Sequence, residues 1–217
     1  MTPGRTSMKL SSLTKHQVLV ATRNPGKFQE MLELMWQDFE LLSMEVMPAA
    51  LEIEERGDTF EANARLKAEG VSRFFTGWVL AEDSGIEVDA LYGEPGVHSA
   101  RFAGPRATDA QNRALLLKRL ENPYMLEKQR TARLRCVLVL ARSGRTFLTS
   151  SGTVEGKIAW EERGNGGFGY DSLFLPDGFS KTFAELPTAI KNKVSHRRNA
   201  IMELHRLWSY YSYQNVK

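Results

Sequence analysis

The stretch Val18-Leu19-Val20-Ala21-Thr22-Arg23-Asn24-Pro25-Gly26-Lys27 decides how the chain is read. Its short apolar run makes a buried strand over Gln17–Ala21. The run stops at a Thr-Arg-Asn-Pro-Gly-Lys loop, beyond which Phe28, Met31, Leu32, Met35 and Trp36 recur at helical spacing. Pro25 suits the first turn of that helix, where its missing N–H would have had no partner. Strand, tight loop and helix in this order open an α/β protein.

On the N-terminal side, residues 1–16 are polar and slightly basic, with no apolar core of a signal peptide. They read as a flexible extension, with Met8 as an alternative start. On the C-terminal side, Leu41–Met47 suits a second strand. Asp58 and Glu61 have capping-box spacing before a helix that turns Phe60, Ala64, Ala68, Val71 and Phe75 to one side. Trp78–Ala81 predicts a strand that ends at Glu82-Asp83-Ser84-Gly85, and Gly93–Pro105 a loop. Thr108 and Gln111 repeat the capping-box spacing before a Leu-rich helix to Leu120. Ala132, Leu134 and Cys136 alternate with Thr131, Arg133 and Arg135, which gives a strand over Thr131–Ala141. Arg145–Glu155 is its partner, with Ser143-Gly144 as the turn. A short strand at Ser172–Leu175 and a last helix from Ser195 to Tyr211, with Ile201, Leu204 and Trp208 inward, complete the chain. Helices and strands alternate early and strands cluster late, so the expectation is a mixed-sheet α/β or α+β protein. No linker or repeat divides residues 17–217.

Composition narrows the function classes. The chain has 217 residues, 42% hydrophobic and 25% charged, enough for a substantial core. A formal charge of +3 favours anionic ligands, but is too small to argue for nucleic-acid binding. No apolar run approaches the roughly 18 residues of a membrane span. The single cysteine, Cys136, lies in an apolar run and reads as a buried thiol, and a reducing, cytoplasmic location is the default.

Five constellations carry possible chemistry. The loop Thr22–Lys27 opens a helix, where backbone N–H groups and a lysine attract anions; it also reads as an ordinary strand–helix connection. Glu82-Asp83-Ser84-Gly85 leaves a buried strand, where paired acids are costly unless solvated, paired or metal-bound. Magnesium takes one or two such carboxylates together with waters and phosphate oxygens. Glu52, Glu54 and Glu55 precede a helix, either for helix-dipole reasons or to join Asp83 on a metal. Gly164–Asp171 sets Phe168 and Tyr170 among glycines, as a turn or as a surface against a flat base. Lys191–Arg198 opens the last helix with cations that disfavour a helix N-terminus, so it marks either an anion or acceptor-rich ligand, or a solvated basic face.

The ordered set is more specific than its parts. Thr22-x-Asn24-x-Gly26-Lys27, Glu55, Thr59–Ala64 with Lys67, Glu82–Gly85, Pro95–Arg101, Gly166–Asp171 and Ser195-His196-Arg197 follow in sequence. This series resembles the inosine/xanthosine triphosphate pyrophosphatase family over roughly Val18 to Leu207. The resemblance implies a long curved mixed sheet flanked by helices, two lobes with a central substrate cleft, a homodimer and a need for Mg²⁺. It implies hydrolysis of non-standard purine nucleoside triphosphates (ITP, dITP, XTP) to the monophosphate and pyrophosphate, by water attack at the α-phosphorus, as part of nucleotide-pool sanitation. It places Thr22, Arg23, Asn24, Pro25, Gly26 and Lys27 at the triphosphate, with Asp83 and Glu55 on the metal and Asp83 as proton acceptor. Lys67, Ser84 and Lys191 would hold phosphates or sugar. Phe168, Gly169, Tyr170 and Asp171, with His196 and Arg197, would frame the base.

Three positions depart from the family pattern. Arg23 replaces a frequent glycine and adds a cation beside the phosphates, Glu82 stands where many bacterial relatives have Asp, and His98 stands at a position often aromatic. Two other readings remain: a septum-inhibitor-like pyrophosphatase acting on pyrimidine or modified nucleotides, and a non-catalytic nucleotide sensor. Ser195-His196-Arg197 speaks against the first, and the retained acids Glu55 and Asp83 against the second.

Overall fold

The opening unit forms as β1 (His16–Val20), α1 (Pro25–Leu34) and β2 (Phe39–Leu42). The computed structural model describes residues 16–35, 39–49, 51, 53–122, 124 and 126–215. Most of the expected extension, Trp36 and Glu52 therefore lie outside the described residues. β1 runs parallel to β2 on one side and to β3 (Trp78–Val88) on the other. β3, β4 (Thr131–Arg142), β5 (Arg145–Ile158) and β6 (Phe174–Pro176) then pair antiparallel in succession. Among the described residues the sheet has the order β2-β1-β3-β4-β5-β6, a mixed, curled sheet flanked by helices.

Strand alternation builds the cores. Leu80, Leu138 and Leu140 face α1 and α5 (His196–Asn215), meeting Met31, Ile201, Leu204 and Trp208. Val79, Ala81, Val137 and Val139 face the other way, onto Ala64, Ala68 and Val71 of α2 (Phe60–Val71). At the far end of the same strands, Ile86, Val88, Ala132 and Leu134 meet Leu116 and Leu120 from α3 (Asp109–Arg119) and its C-cap, together with Phe174 and Phe183. Leu19, Leu80 and Leu138 are fully buried, each contributing roughly 1.5–3 kcal/mol. β3 and β4 thus run through two lobes, and Glu82–Gly85 lies where one gives way to the other.

Several expectations change. β3 does not end at Ala81 but continues to Val88, with Glu82 opposite Leu138, Asp83 opposite Val137 and Ser84 opposite Cys136. The second strand stops at Leu42, because Ser43 accepts from the Glu45 N–H and caps a short 3₁₀ turn, Met44–Val46. The cap of α2 is Thr59, which accepts from the Ala62 N–H, and Glu61 instead pairs with Arg65. Part of the expected loop after Gly93 is a 3₁₀ turn, Gly96–Arg101. The basic cluster divides between α4 (Thr188–Val194) and α5, so Lys191 and Lys193 stand at a helix C-terminus, where cations are favourable. The Thr108–Gln111 capping box and the Ser143-Gly144 turn form as expected, both turn residues having positive φ (53° and 75°). Cys136 is buried.

Gly152 of β5 is where α5 approaches most closely. A Cβ there would stand 2.2 Å from the His196 carbonyl oxygen and 2.3 Å from the Ala200 nitrogen. Gly152→Ala is therefore expected to push α5 off the sheet and cost about 1–3 kcal/mol, as overpacking does. A urea-denaturation midpoint below wild type checks this; an unchanged midpoint contradicts it.

Candidate active site

β1 pairs with β3 only as far as Leu80, and the Ala21 N–H makes the last bond to the Leu80 carbonyl. From Glu82 to Ser84 the β1-side edge of β3 pairs with no strand among the described residues, before the Glu94–Arg101 segment covers it from Gly85 on. That gap, past the end of a parallel strand, is where ligands enter open α/β sheets.

Side-chain alternation sends the adjacent acids to opposite faces. Glu82 points toward α1 and α5. Its carboxylate accepts from Arg197 at two points, Nε and Nη2, both at 2.7 Å, and from the Ser84 hydroxyl at 2.6 Å. Lys27 Nζ stands 3.3 Å away. Arg197 Nη1 also donates to Glu30. Lys191 Nζ bridges Glu30 at 2.6 Å and Asp171 at 2.5 Å. Three cations (Lys27, Lys191, Arg197) thus face three anions (Glu30, Glu82, Asp171). Burial opposes ionisation of Glu82, but Arg197 and Lys27 outweigh it and hold its carboxyl well below the usual range. Burial, reinforced by Arg197, pushes His196 well below the usual histidine value, so its imidazole is neutral at pH 7.

Asp83 points toward α2. Lys67 Nζ lies 3.5 Å from Asp83 Oδ1 and 3.3 Å from Glu55 Oε1. Asp83 Oδ2 is buried with no hydrogen-bond partner among the described residues. Burial raises the Asp83 pKa, with Glu55 adding to it and Lys67 and Lys27 opposing.

Two connected cavities share Asn24, Lys27, Ser84 and Ala100. The larger, about 390 Å³, is lined by Thr22, Arg23, Glu55, Lys67, Glu82, Asp83 and Arg101 among others. The smaller, about 90 Å³, is lined by Phe168, Gly169, Tyr170, Asp171, Lys191, His196 and Arg197. Phe168 lies against the Thr22–Lys27 loop, since a Cβ on Gly26 would stand 2.6 Å from its ring. Lys191 and Arg197 lie 5.2 and 5.6 Å from that ring's centre, within cation–π range.

Not every residue singled out in the sequence falls where expected. Pro25 and Gly26 line neither cavity: Pro25 starts α1, and Gly26 makes room for Phe168. Asn24 accepts from the Lys27 N–H, and Pro25 has no N–H, so anion attraction rests on the Lys27 ammonium and the Thr22 hydroxyl more than on the backbone. Arg23 lines the larger cavity, but its Nη2 is spent on the carbonyls of Pro48, Ala49 and Leu51. Lys191 lines the smaller cavity, which it shares with Lys27, and not the larger one that holds Lys67. Arg197 spends its donors on Glu82 and Glu30. Tyr170 is buried, its hydroxyl donating to the Ser99 carbonyl. Glu54 pairs with exposed Arg56, and His98 lines neither cavity.

Other residues emerge only from the structure. Glu30 anchors both Lys191 and Arg197; its sequence signal is a charge beside Met31 on the apolar stripe of α1. Asp109 accepts from the Gly169 N–H at 2.7 Å and Arg113 donates to the Gly169 carbonyl at 2.9 Å, so α3 brackets the loop that carries Phe168. Nothing in the local spacing announces that bracket.

The Ham1 family model matches residues 18–207. A dITP/XTP pyrophosphatase of Exiguobacterium sp. is 47% identical over 189 residues, covering 87% of this chain and 94% of the relative. One of Bacillus subtilis is 43% identical over 192 residues, covering 88% and 96%. The Ham1 protein of Staphylococcus aureus superposes with a TM-score of 0.78 at 36% identity, covering 89% of this chain and 98% of that one. A HAM1 protein from Coxiella burnetii gives 0.79 at 35%, covering 90% and 99%.

Arg197→Met would leave Glu82 and Glu30 buried without their main partner, and a loss of about 3–5 kcal/mol is expected. In wild type the depressed Glu82 pKa contributes stability above the unfolded-state pKa, lost as pH falls through the folded value. In the variant the Glu82 pKa rises, so the deficit shrinks as pH falls. Urea denaturation at neutral and mildly acidic pH checks this; a deficit independent of pH contradicts it.

Proposed function

The chain belongs to the Ham1 family, and on that premise we propose that it hydrolyses non-standard purine nucleoside triphosphates (ITP, dITP and XTP) to the monophosphate and pyrophosphate. The observation that carries this reading is the joined pair of cavities. One end holds Asp83 and Glu55 beside Lys27 and Lys67; the other is a slot bounded by Phe168 and a neutral His196. Relatives named dITP/XTP pyrophosphatase support the same substrates.

The acids suit Mg²⁺. Asp83 Oδ2 is buried without a well-formed hydrogen bond among the described residues, the Asn63 amide lying close enough only to lower the Asp83 pKa, and Glu55 converges on the same ammonium as Asp83. Among the described residues no three His, Cys, Asp or Glu side chains gather into a cage. Two protein carboxylates suit an ion that keeps waters and takes phosphate oxygens. Asp83 and Glu55 would hold it. When bound, Mg²⁺ supplies charge neutralisation at the phosphates and acidifies water.

Asp83 accepts the proton of the water that attacks the α-phosphorus. In the metal-free site burial raises its pKa above the ordinary carboxylate value, the direction that favours proton acceptance. Lys27 and Lys67 balance the charge that grows on the departing pyrophosphate. At the base, Phe168 supplies a stacking face. Burial, reinforced by Arg197, keeps His196 neutral, and Arg197 is spent on Glu82 and Glu30, so contact with the base falls to His196, whose Nδ1 has no partner among the described residues. Hypoxanthine and xanthine carry a carbonyl at C6 where adenine carries an amino group. A donor on His196 pairs with the first and faces a second donor in adenine, an unpaired arrangement that is heavily penalised in a buried site.

The same reading makes residues 17–217 one two-lobed domain, since both ends of the chain supply the site, with residues 1–16 as an extension. It makes the protein a cytoplasmic homodimer with no nucleic-acid or membrane partner. Among the described residues no helix is long and apolar enough to cross a membrane.

Asp83→Asn is expected to lower kcat by about 10²–10⁴. It should leave Tm unchanged or higher, because the raised pKa means the ionised carboxylate is disfavoured in the fold at neutral pH. In water labelled with heavy oxygen the label should enter the monophosphate. Full turnover by Asp83→Asn with intact fold, or label in pyrophosphate, contradicts the mechanism.

A further inference from the structure

Arg101 ends the 3₁₀ turn Gly96–Arg101 and lines the larger cavity with Thr22, Lys27, Lys67 and Asp83. Among the described residues its guanidinium makes no hydrogen bond or ion pair. The other cations of that cavity are engaged. Lys27 stands 3.3 Å from Glu82, Lys67 stands 3.3 Å from Glu55 and 3.5 Å from Asp83, and Arg23 is bound to three loop carbonyls. Arg101 is therefore a cation of that cavity whose guanidinium meets neither a carboxylate nor a carbonyl among the described residues.

The backbone that presents it is held on both sides. The Ser99 hydroxyl donates to the Gly96 carbonyl at 2.6 Å and accepts from the Ile86 N–H at 2.9 Å. Asn112 donates to the Ala100 carbonyl at 3.1 Å and accepts from the Ala103 N–H at 2.8 Å. The turn also lies directly on β3, since a Cβ on Gly85 would stand 2.5 Å from the Gly96 carbonyl oxygen. A guanidinium presented from a fixed backbone, with its donors free, matches phosphate oxygens in a two-point geometry.

We propose that Arg101 is a substrate-contacting residue whose guanidinium binds the pyrophosphate half of the nucleotide and holds inorganic pyrophosphate after cleavage. This rests on the pyrophosphatase reading for the identity of the anion. The position within the substrate follows from the cavities: Arg101 lines the one with Lys27 and Lys67, not the slot with Phe168 and His196.

The test is product inhibition of the full chain, with inorganic pyrophosphate and IMP as probes, in wild type, Arg101→Met and Arg101→Lys. Arg101→Met should weaken inhibition by pyrophosphate about tenfold to hundredfold, leave inhibition by IMP and Tm at wild-type values, and raise KM for ITP. Arg101→Lys, which keeps the charge without the fork, should fall between them and decides the matter if the Met variant folds poorly. Unchanged pyrophosphate inhibition in both variants overturns the proposal, as does equal weakening toward both products. Failure of the pyrophosphatase reading shows separately, as a wild-type protein that releases no pyrophosphate from any nucleotide. Direct calorimetry of pyrophosphate binding to wild type and Arg101→Met then still reads the anion contact.

Discussion

The two-point contact between Glu82 and Arg197 is the interaction on which the rest depends. Both side chains are removed from water, at 0% and 1% exposure, so neither tolerates loss of the other. It joins the middle of β3 to the first turn of α5. Through Glu30 and Lys27 it draws in α1, and through Lys191 it reaches α4 and Asp171 of the glycine-rich loop. Such a cluster adds little net stability over a packed apolar one. Its consequence is positional: α5 sits on the sheet in the register that also sets His196 beside the cleft and keeps it neutral.

Two neighbouring acids on one strand consequently take different characters. Glu82, walled in by cations, is held ionised, while Asp83, one residue on and facing α2, is raised by burial. Environments that push adjacent carboxyls apart divide structural from chemical work between them. The division follows from strand alternation, since the cations of α1 and α5 lie on one face and the single ammonium of Lys67 on the other. The break in the sheet where β1 stops pairing leaves both acids at the edge of one cavity.

Local signals were legible in the sequence wherever local chemistry decides structure. The apolar run and the Asn24-Pro25 start specify β1 and α1, the Thr108–Gln111 box specifies the start of α3, and Ser143-Gly144 specifies the β4–β5 turn. Continuation of β3 through Glu82-Asp83-Ser84-Gly85 was not legible. Polar residues survive in a central strand only with partners, and those partners lie far along the chain, at Lys27, Lys67 and Arg197. For the same reason Arg23 reads as a phosphate cation in sequence but binds the Pro48–Leu51 carbonyls in space, and Arg197 reads as a base contact but is spent on Glu82 and Glu30. The residue types of the candidate site were visible as an ordered motif series. The inward role of Glu30 and the bracket of Asp109 and Arg113 around Gly169 depend on tertiary contacts alone.

The most direct measurement is pyrophosphate release from ITP, dITP, XTP, GTP, ATP and dTTP, each with Mg²⁺ and with EDTA. Rapid release from ITP, dITP and XTP that EDTA abolishes, with little from ATP, GTP and dTTP, is the result expected. No release from any purine nucleotide, or release from ATP as fast as from ITP, would contradict it.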